Sequence, residues 1–304
     1  MAKASKTLPA TEARKRLIAA AKIGDLKAIR GVLSLREDAI HLRNSHHNTA
    51  LRSAVGAGQL DAAQLLVEYG ADVHQVNHGG SSLMEAAVYA GKPDTVHWLG
   101  RNGLAVGIVE LSAIGDLKRV ISVLESDPAC MNQRDRRGLT ALHHAARCGH
   151  IALIKALIVR GADIHAANRH GHVPLSIAVE ERQIESTEVL LANGADPNAR
   201  GGHYRGSVLH RAVLRRSLPI VIALLNAGAD PNYRDANGKT PLHDAIGIGN
   251  QKIVARVLIA SGIDISLRTG KTKYSERGET ALEYAKNRRK ARIVKMLEDY
   301  LSAS

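Results

Sequence analysis

Histidine and carboxylate are the residues through which this chain could do chemistry. Its 15 His are imidazoles able to ligate zinc or to move protons near neutral pH. His46-His47 and His74/His78 fall in loop-like stretches with no converging carboxylate or thiolate, and a metal site needs a ligand set of fixed geometry. His143, His210 and His243 recur at one position of a repeating motif, so they form a spaced array. Glu85 and Glu110 are the carboxylates placed where an acid–base pair could form. The chain has no Gly-Xaa-Xaa-Xaa-Xaa-Gly-Lys phosphate loop and no His-Glu-Xaa-Xaa-His helix. Its two cysteines, Cys130 and Cys148, are too few for a disulfide framework or a Cys-rich zinc site and suit a reducing cytosol or nucleus. The expectation is a chain with no cofactor, no metal and no small-molecule substrate, placed in the cytoplasm or nucleus.

Helices set at regular intervals must position these residues. Taking the residue after each first helix gives Gly24, Gly58, Gly91, Gly115, Gly149, Arg182, Arg216, Gly249 and Arg289, separated by 34, 33, 24, 34, 33, 34, 33 and 40. One unit reads Gly138-Leu139-Thr140-Ala141-Leu142-His143-His144-Ala145-Ala146, and another Gly238-Lys239-Thr240-Pro241-Leu242-His243-Asp244-Ala245. Gly-Ala-Asp closes units at 70–72, 161–163, 194–196 and 228–230. A period of about 33 with Thr-Pro-Leu-His-like starts resembles the ankyrin repeat over nearly the whole chain. The resemblance implies an all-α-type solenoid of about nine helix-turn-helix units with β-hairpin fingers. It also implies that the motif His hydrogen-bonds within the finger region and has no catalytic task.

Composition agrees with thin stacked layers. Hydrophobic residues make up 45% and charged residues 23%, and with no Phe the core falls to Leu, Ile, Val and Ala. Ala145 and Ala146 keep an inner helix slim, Thr240 is placed as an N-cap, and Pro241 fits the first helical position. Glycines such as Gly58, Gly149 and Gly249 suit the left-handed turn after the inner helix. Arg182, Arg216 and Arg289 replace that glycine, so those turns should be less relaxed. No apolar run approaches the roughly 20 residues of a membrane span, and no membrane partner is expected. Basic Met1 to Arg16 lacks the apolar stretch of a secretory signal.

Two departures organise the chain. Gly103 to Gly115 spans 12 residues where Gly70 to Gly91 spans 21, so the fourth unit lacks its finger. Ile114-Gly115-Asp116-Leu117-Lys118 repeats Ile23-Gly24-Asp25-Leu26-Lys27 residue for residue, as a second array-opening unit would. The expected organisation is a disordered segment at 1–11, a first sub-array at 12–103, and a second at 104–304. A polar helix from Ala281 to Leu301 should cap the second. One continuous solenoid with a notch is the rival arrangement. The other departure is a long basic finger between Gly262 and Thr280 that carries Arg268, Lys271, Lys273, Tyr274 and Arg277.

Finger tips carry the functional signal. Eight of the 14 residues that precede the finger glycines in seven units are Arg or His, where chance gives about three. The candidate rim comprises His46, His78, Arg136, Arg137, Arg169, His170, His203, Tyr204 and Arg277, extended by Arg205, Arg234, Lys271 and Lys273. With a net charge of +13, this points to a partner protein with an acidic surface, held along the fingers and inner helices by a non-catalytic adaptor. The runner-up is nucleic acid or another polyanion, against which Tyr204 and Tyr274 are the only aromatics near the rim. An enzyme built on the notch near Glu85 and Glu110 ranks third. Glu180 and Glu181 align with Leu214 and Arg215 one unit later, so a stacking ion pair with Arg215 or Arg216 is expected. Lys286, Arg288, Arg289, Lys290, Arg292 and Lys295 resemble a nuclear-localisation patch but read better as the solvated face of the cap.

Overall fold

A computed structural model describes residues 8–200, 206–248, 252–271 and 275–303. Among these residues the chain forms 18 α-helices, two short 3₁₀ segments and no strands. It divides into two compact units, residues 1–123 and 124–304.

The first unit holds α1 (Ala10–Ile23), α2 (Leu26–Leu35), α3 (Ala50–Ala57), α4 (Leu60–Glu68), α5 (Leu83–Tyr89), α6 (Pro93–Arg101) and α7 (Ile108–Ala113). Inner helices stack in the order α1, α3, α5, α7, and each of α1, α3 and α5 packs on the outer helix that follows it. Local signals start and stop them. Asp25 accepts the Ala28 N–H at 2.9 Å and opens α2, while Gly24 ends α1 at φ 80°. Thr49 caps α3 by accepting from Arg52 N–H at 3.2 Å, and Gly58 closes it at φ 74°. α1 begins at Ala10, inside the segment expected to be disordered, because Ala13, Leu17, Ala20 and Ala21 are buried in the core. Residues 1–7 lie outside the described set.

Where the fourth finger is missing, α6 runs through residues 102–107 directly into α7. A cavity of about 640 Å³ lies beside this connection, lined by His97, Leu104, Val106 and Asp116 among others. The sequence suggests a boundary at 103/104, whereas the compact units part at 123/124. The difference has a packing cause: α7 packs on α5, and Leu104, Val106, Ala113 and Ile114 join the first unit's core. The two opening-like sequences do fold alike. Asp116 accepts the Arg119 N–H at 3.1 Å as Asp25 does for Ala28, and 3₁₀ turns at Glu37–His41 and Pro128–Asn132 follow α2 and α8 (Leu117–Ser126).

The second unit contains α9 (Ala141–Cys148), α10 (Ile151–Val159), α11 (Pro174–Glu180), α12 (Ile184–Ala192), α13 (Val208–Leu214), α14 (Leu218–Asn226), α15 (Pro241–Gly247), α16 (Lys252–Ala260), α17 (Ala281–Asn287) and α18 (Ala291–Ala303). Odd-numbered inner helices pack consecutively, as do even-numbered outer ones from α10 to α18. The expected single capping helix is two, α17 and α18, because Arg289 turns left-handed at φ 55° between them. Ile293 and Leu297 of α18 are buried as the amphipathic pattern predicts. Lys286 pairs with Glu298 at 2.9 Å and Arg288 with Glu279 at 3.2 Å, so part of the basic C-terminal cluster serves the cap.

The fingers differ from the expected β-hairpins. Five are tight turns tied by an Asn or Asp side chain, and the described residues show only isolated bridges, Val76 with Ser82 and Arg200 with Ser207. Gly249 falls outside the described residues, but Arg182, Arg216 and Arg289 do hold left-handed φ of 57°, 56° and 55°.

Two substitutions test this packing. Ala145 and Ala245 are fully buried where inner helices stack, so Ala145→Leu or Ala245→Leu should cost about 1–3 kcal/mol of unfolding free energy in urea titrations. Arg182→Gly should raise stability by about 0.5–1 kcal/mol, because the left-handed penalty of about 1–2 kcal/mol exceeds the entropy that glycine loses on folding.

Candidate partner-binding surface

Five of the fingers begin with Asn or Asp, whose short side chain ties the turn together. Asn44 Oδ1 accepts the N–H groups of His46 and Asn48 at 2.9 and 3.0 Å. Asp135 accepts those of Arg137 and Leu139, both at 2.8 Å. Asn168 holds His170 and His172, and Asp235 holds Asn237 and Lys239, in the same way. Adjacent tips then join through their backbones: Arg169 N–H donates to Arg137 O at 3.1 Å, and His78 N–H to His46 O at 3.4 Å. Arginines just before the turn add a staple to the next finger. Arg43 Nη1 donates to Val76 O at 2.9 Å, Arg134 Nη1 to Ala167 O at 2.6 Å, and Arg234 Nη2 to Arg268 O at 2.7 Å.

This sorts the candidate rim. Arg136, Arg137, Arg169 and His170 are exposed and stand on two tips joined in the second unit. His46 and His78 are exposed on joined tips in the first unit, where the His47 and His78 rings lie 5.2 Å apart. Arg234 is a staple, and Lys271 pairs with Glu276 at 2.6 Å. Arg277 is exposed on the long finger, whose base closes through Thr269 N–H to Glu279 O at 2.9 Å. His203, Tyr204, Arg205 and Lys273 lie outside the described residues.

The histidine array is structural. His143 Nδ1 accepts from the Thr140 N–H and hydroxyl at 3.1 and 2.9 Å, which leaves Nε2–H to donate to His172 O in the next unit at 3.0 Å. His210 and His243 repeat this geometry to Lys239 O and Glu279 O. Burial pushes the imidazole pKa down, to about 4 for His143 and His243, so these rings stay neutral at pH 7. Arg52 fills the same position in the first unit and donates to Ser81 O at 2.7 Å. Glu85 and Glu110, the carboxylates at the notch, accept the N–H groups of Ser82 and Gly107 at 3.3 and 2.9 Å and hold their own helix starts. Among the described residues no group of three His, Cys, Asp or Glu could hold a metal ion.

Two features went beyond the sequence reading. Glu180 pairs with Arg215, as the alignment suggests, and also with Arg211 at 2.5 Å. The three line a cavity of about 260 Å³ with Ser207, His210 and Leu214 on the groove face of α11 and α13. The i,i+4 spacing of Arg211 and Arg215 was the signal available for it. The second feature is a pair of carboxylates. Asp135 Oδ2 accepts from His144 Nε2 at 3.0 Å, but one hundred residues later the same two positions are Asp235 and Asp244. Both are buried, and Oδ2 of each lacks a hydrogen-bond partner. Burial, with Asp235 adding repulsion against the pull of Lys239, drives the Asp244 pKa up to about 7.

With this geometry in place, the comparisons are decisive about family. The family model "Ankyrin repeats (3 copies)" matches residues 17–110, 83–201 and 209–302. The chain belongs to the ankyrin-repeat family. Ankyrin repeats are generally non-catalytic protein–protein interaction modules. Similar proteins include the B-cell lymphoma 3 protein homolog of Mus musculus, 30% identical over 72% of this chain and 45% of that protein. A transient receptor potential cation channel subfamily A member 1 homolog of Caenorhabditis elegans is 28% identical over 74% of this chain and 16% of its own length. The nuclear factor NF-kappa-B p105 subunit of Gallus gallus is 32% identical over 54% and 17%. The chain thus spans less than half the length of each of these relatives. No described helix is long and apolar enough to cross a membrane.

The carboxylate pair sets a pH dependence with a definite sign. Asp244 holds a proton in the folded state up to about pH 7, whereas its unfolded value is 3.8. Its stabilising share is full below pH 3.8 and is lost as pH rises to 7. His143 and His243 act oppositely, losing stability as pH falls from 6.5 toward 4. Asp244→Asn should therefore stabilise more at pH 8 than at pH 5, by on the order of 2–3 kcal/mol in urea titrations.

Proposed function

We propose that this chain is a non-catalytic adaptor that holds an acidic protein surface along its finger tips and inner-helix groove, working in the cytoplasm or nucleus. The observation that carries the reading is the tip-to-tip bond from Arg169 N–H to Arg137 O. It sets the exposed cations Arg136, Arg137 and Arg169 on two backbone-joined tips, where their fields add. The inner helices α11 and α13 bring Arg211 and Arg215 against Glu180, a net positive cluster that extends the positive field into the groove. Membership of the ankyrin-repeat family supports an interaction role, and the positive rim supports an acidic partner.

Reversing Arg136, Arg137 and Arg169 to Glu tests this directly. The fold should persist, since exposed substitutions stay within about 0.5 kcal/mol each. Affinity capture followed by mass spectrometry identifies the partner of the intact chain. Association with that partner should slow at least tenfold in the triple variant and lose most of its salt sensitivity. A duplex partner would give a different signature, a log–log salt slope flattened by about 2.7 for three lost phosphate contacts. Unchanged capture by the triple variant places the binding site away from the rim.

A further inference from the structure

A second basic surface, absent from the finger-tip reading, lies in the first unit. A cavity of about 540 Å³ opens between α1 and the finger that follows Arg43. Arg14, Lys15, Lys22 and Arg43 line it, and no carboxylate does. None of the four has an ion-pair partner among the described residues, unlike Arg16, which pairs with Glu12 at 2.6 Å. Both arginines are held in place by backbone oxygens: Arg14 Nη1 donates to Arg43 O at 3.2 Å, and Arg43 Nη1 to Val76 O at 2.9 Å. Each guanidinium has five N–H donors, so most of its binding capacity is left over. Between the cations sits an aliphatic floor, half-buried Ile18 with exposed Ala19.

Spacing narrows the ligand. Arg14, Ile18 and Lys22 follow one another at four-residue intervals along one stripe of α1, about 6 Å apart at 1.5 Å rise per residue. In an extended peptide, alternate side chains share a face and recur every 6.6 Å or so, at about 3.3 Å per residue. The two repeats match over cation, aliphatic and cation. No aromatic lines the groove, so bases would find no stacking platform.

We propose that this groove docks an extended acidic segment of a partner protein, of the pattern acid–x–aliphatic–x–acid, laid along α1. The proposal rests on the interaction-module reading but uses a surface separate from the finger-tip rim. Its energetic logic is direct: two ion pairs fix the register, and one aliphatic side chain on Ile18 supplies the buried contact.

The test uses the full chain and a labelled peptide, Ser-Gly-Glu-Ser-Leu-Ser-Glu-Ser-Gly, read by fluorescence anisotropy at 0.15 M salt, where the Debye length is about 8 Å. Binding should weaken at least tenfold when both Glu are Gln, and at least fivefold when the two Glu are made adjacent. Lys22→Glu should weaken it at least tenfold and the milder Lys15→Gln at least twofold, with circular dichroism unchanged. The rim variant carrying Arg136→Glu, Arg137→Glu and Arg169→Glu should bind the peptide within twofold of the unaltered chain. Equal binding of the Gln peptide, or no effect of either lysine substitution, overturns the proposal. Loss of peptide binding in the rim variant alone overturns it while leaving the rim reading intact. A single-stranded oligonucleotide that binds in a Lys22-dependent way, with no peptide binding, would assign the groove to nucleic acid and also overturn it.

Discussion

One hydrogen bond repeated from unit to unit organises the stacked helices. In four of the described units the residue three positions after the inner-helix N-cap reaches the carbonyl just before the next N-cap. His143 does so to His172, His210 to Lys239 and His243 to Glu279 in the second unit, and Arg52 to Ser81 in the first. The three histidine rings are buried, so losing the bond would leave a ring donor unsatisfied in the interior. It links each of these helix starts to the finger of the next unit. Where the position is Ser176 the side chain is too short, and its buried Oγ is left without a partner.

Everything exposed depends on that frame. Because the bolts and the Asx turns spend the polar groups near the backbone, side chains at the tips are free to differ between units without changing the fold. Arg43, Arg134 and Arg234 each give an N–H to a staple, while Arg136, Arg137 and Arg169 are exposed at the tips. A positive rim and a positive groove on α1 thus arise on one scaffold from residues that look alike in the sequence.

The chain also retains costly features. Three arginines hold left-handed backbone where glycine would rest more easily, and Asp244 stands against Asp235 in a buried layer that elsewhere pairs Asp135 with His144. Arg216 shows one compensation, since its guanidinium donates to Ile248 O at 3.0 Å in the next unit. Lys239 offers the corresponding relief to the aspartate pair, drawing the Asp244 pKa down against the effect of burial. The Arg216 bond couples neighbouring units, which suits an array whose stability comes from its interfaces.

Local chemistry made much of this molecule legible in its sequence. The period, the Thr and Ser caps, the alanine inner faces and the left-handed turns at Gly58 and Gly149 are written within a few residues of where they act. Glu180 could be set against Arg215 because equivalent positions one unit apart are neighbours in a stack. What the tertiary structure alone decided concerns longer reach. It assigned the finger-less repeat to the first unit, since α7 finds its apolar partner in α5. It split the capping helix at Arg289 and reduced five fingers to turns tied by a side chain. It also separated staples from rim, and it joined Arg14, Lys15 and Lys22 of one helix to Arg43 of the following finger. A sequence specifies that a residue is charged, but only the fold determines which carbonyls and charges lie within a few ångströms of it, and Coulomb and hydrogen-bond energies depend on that distance.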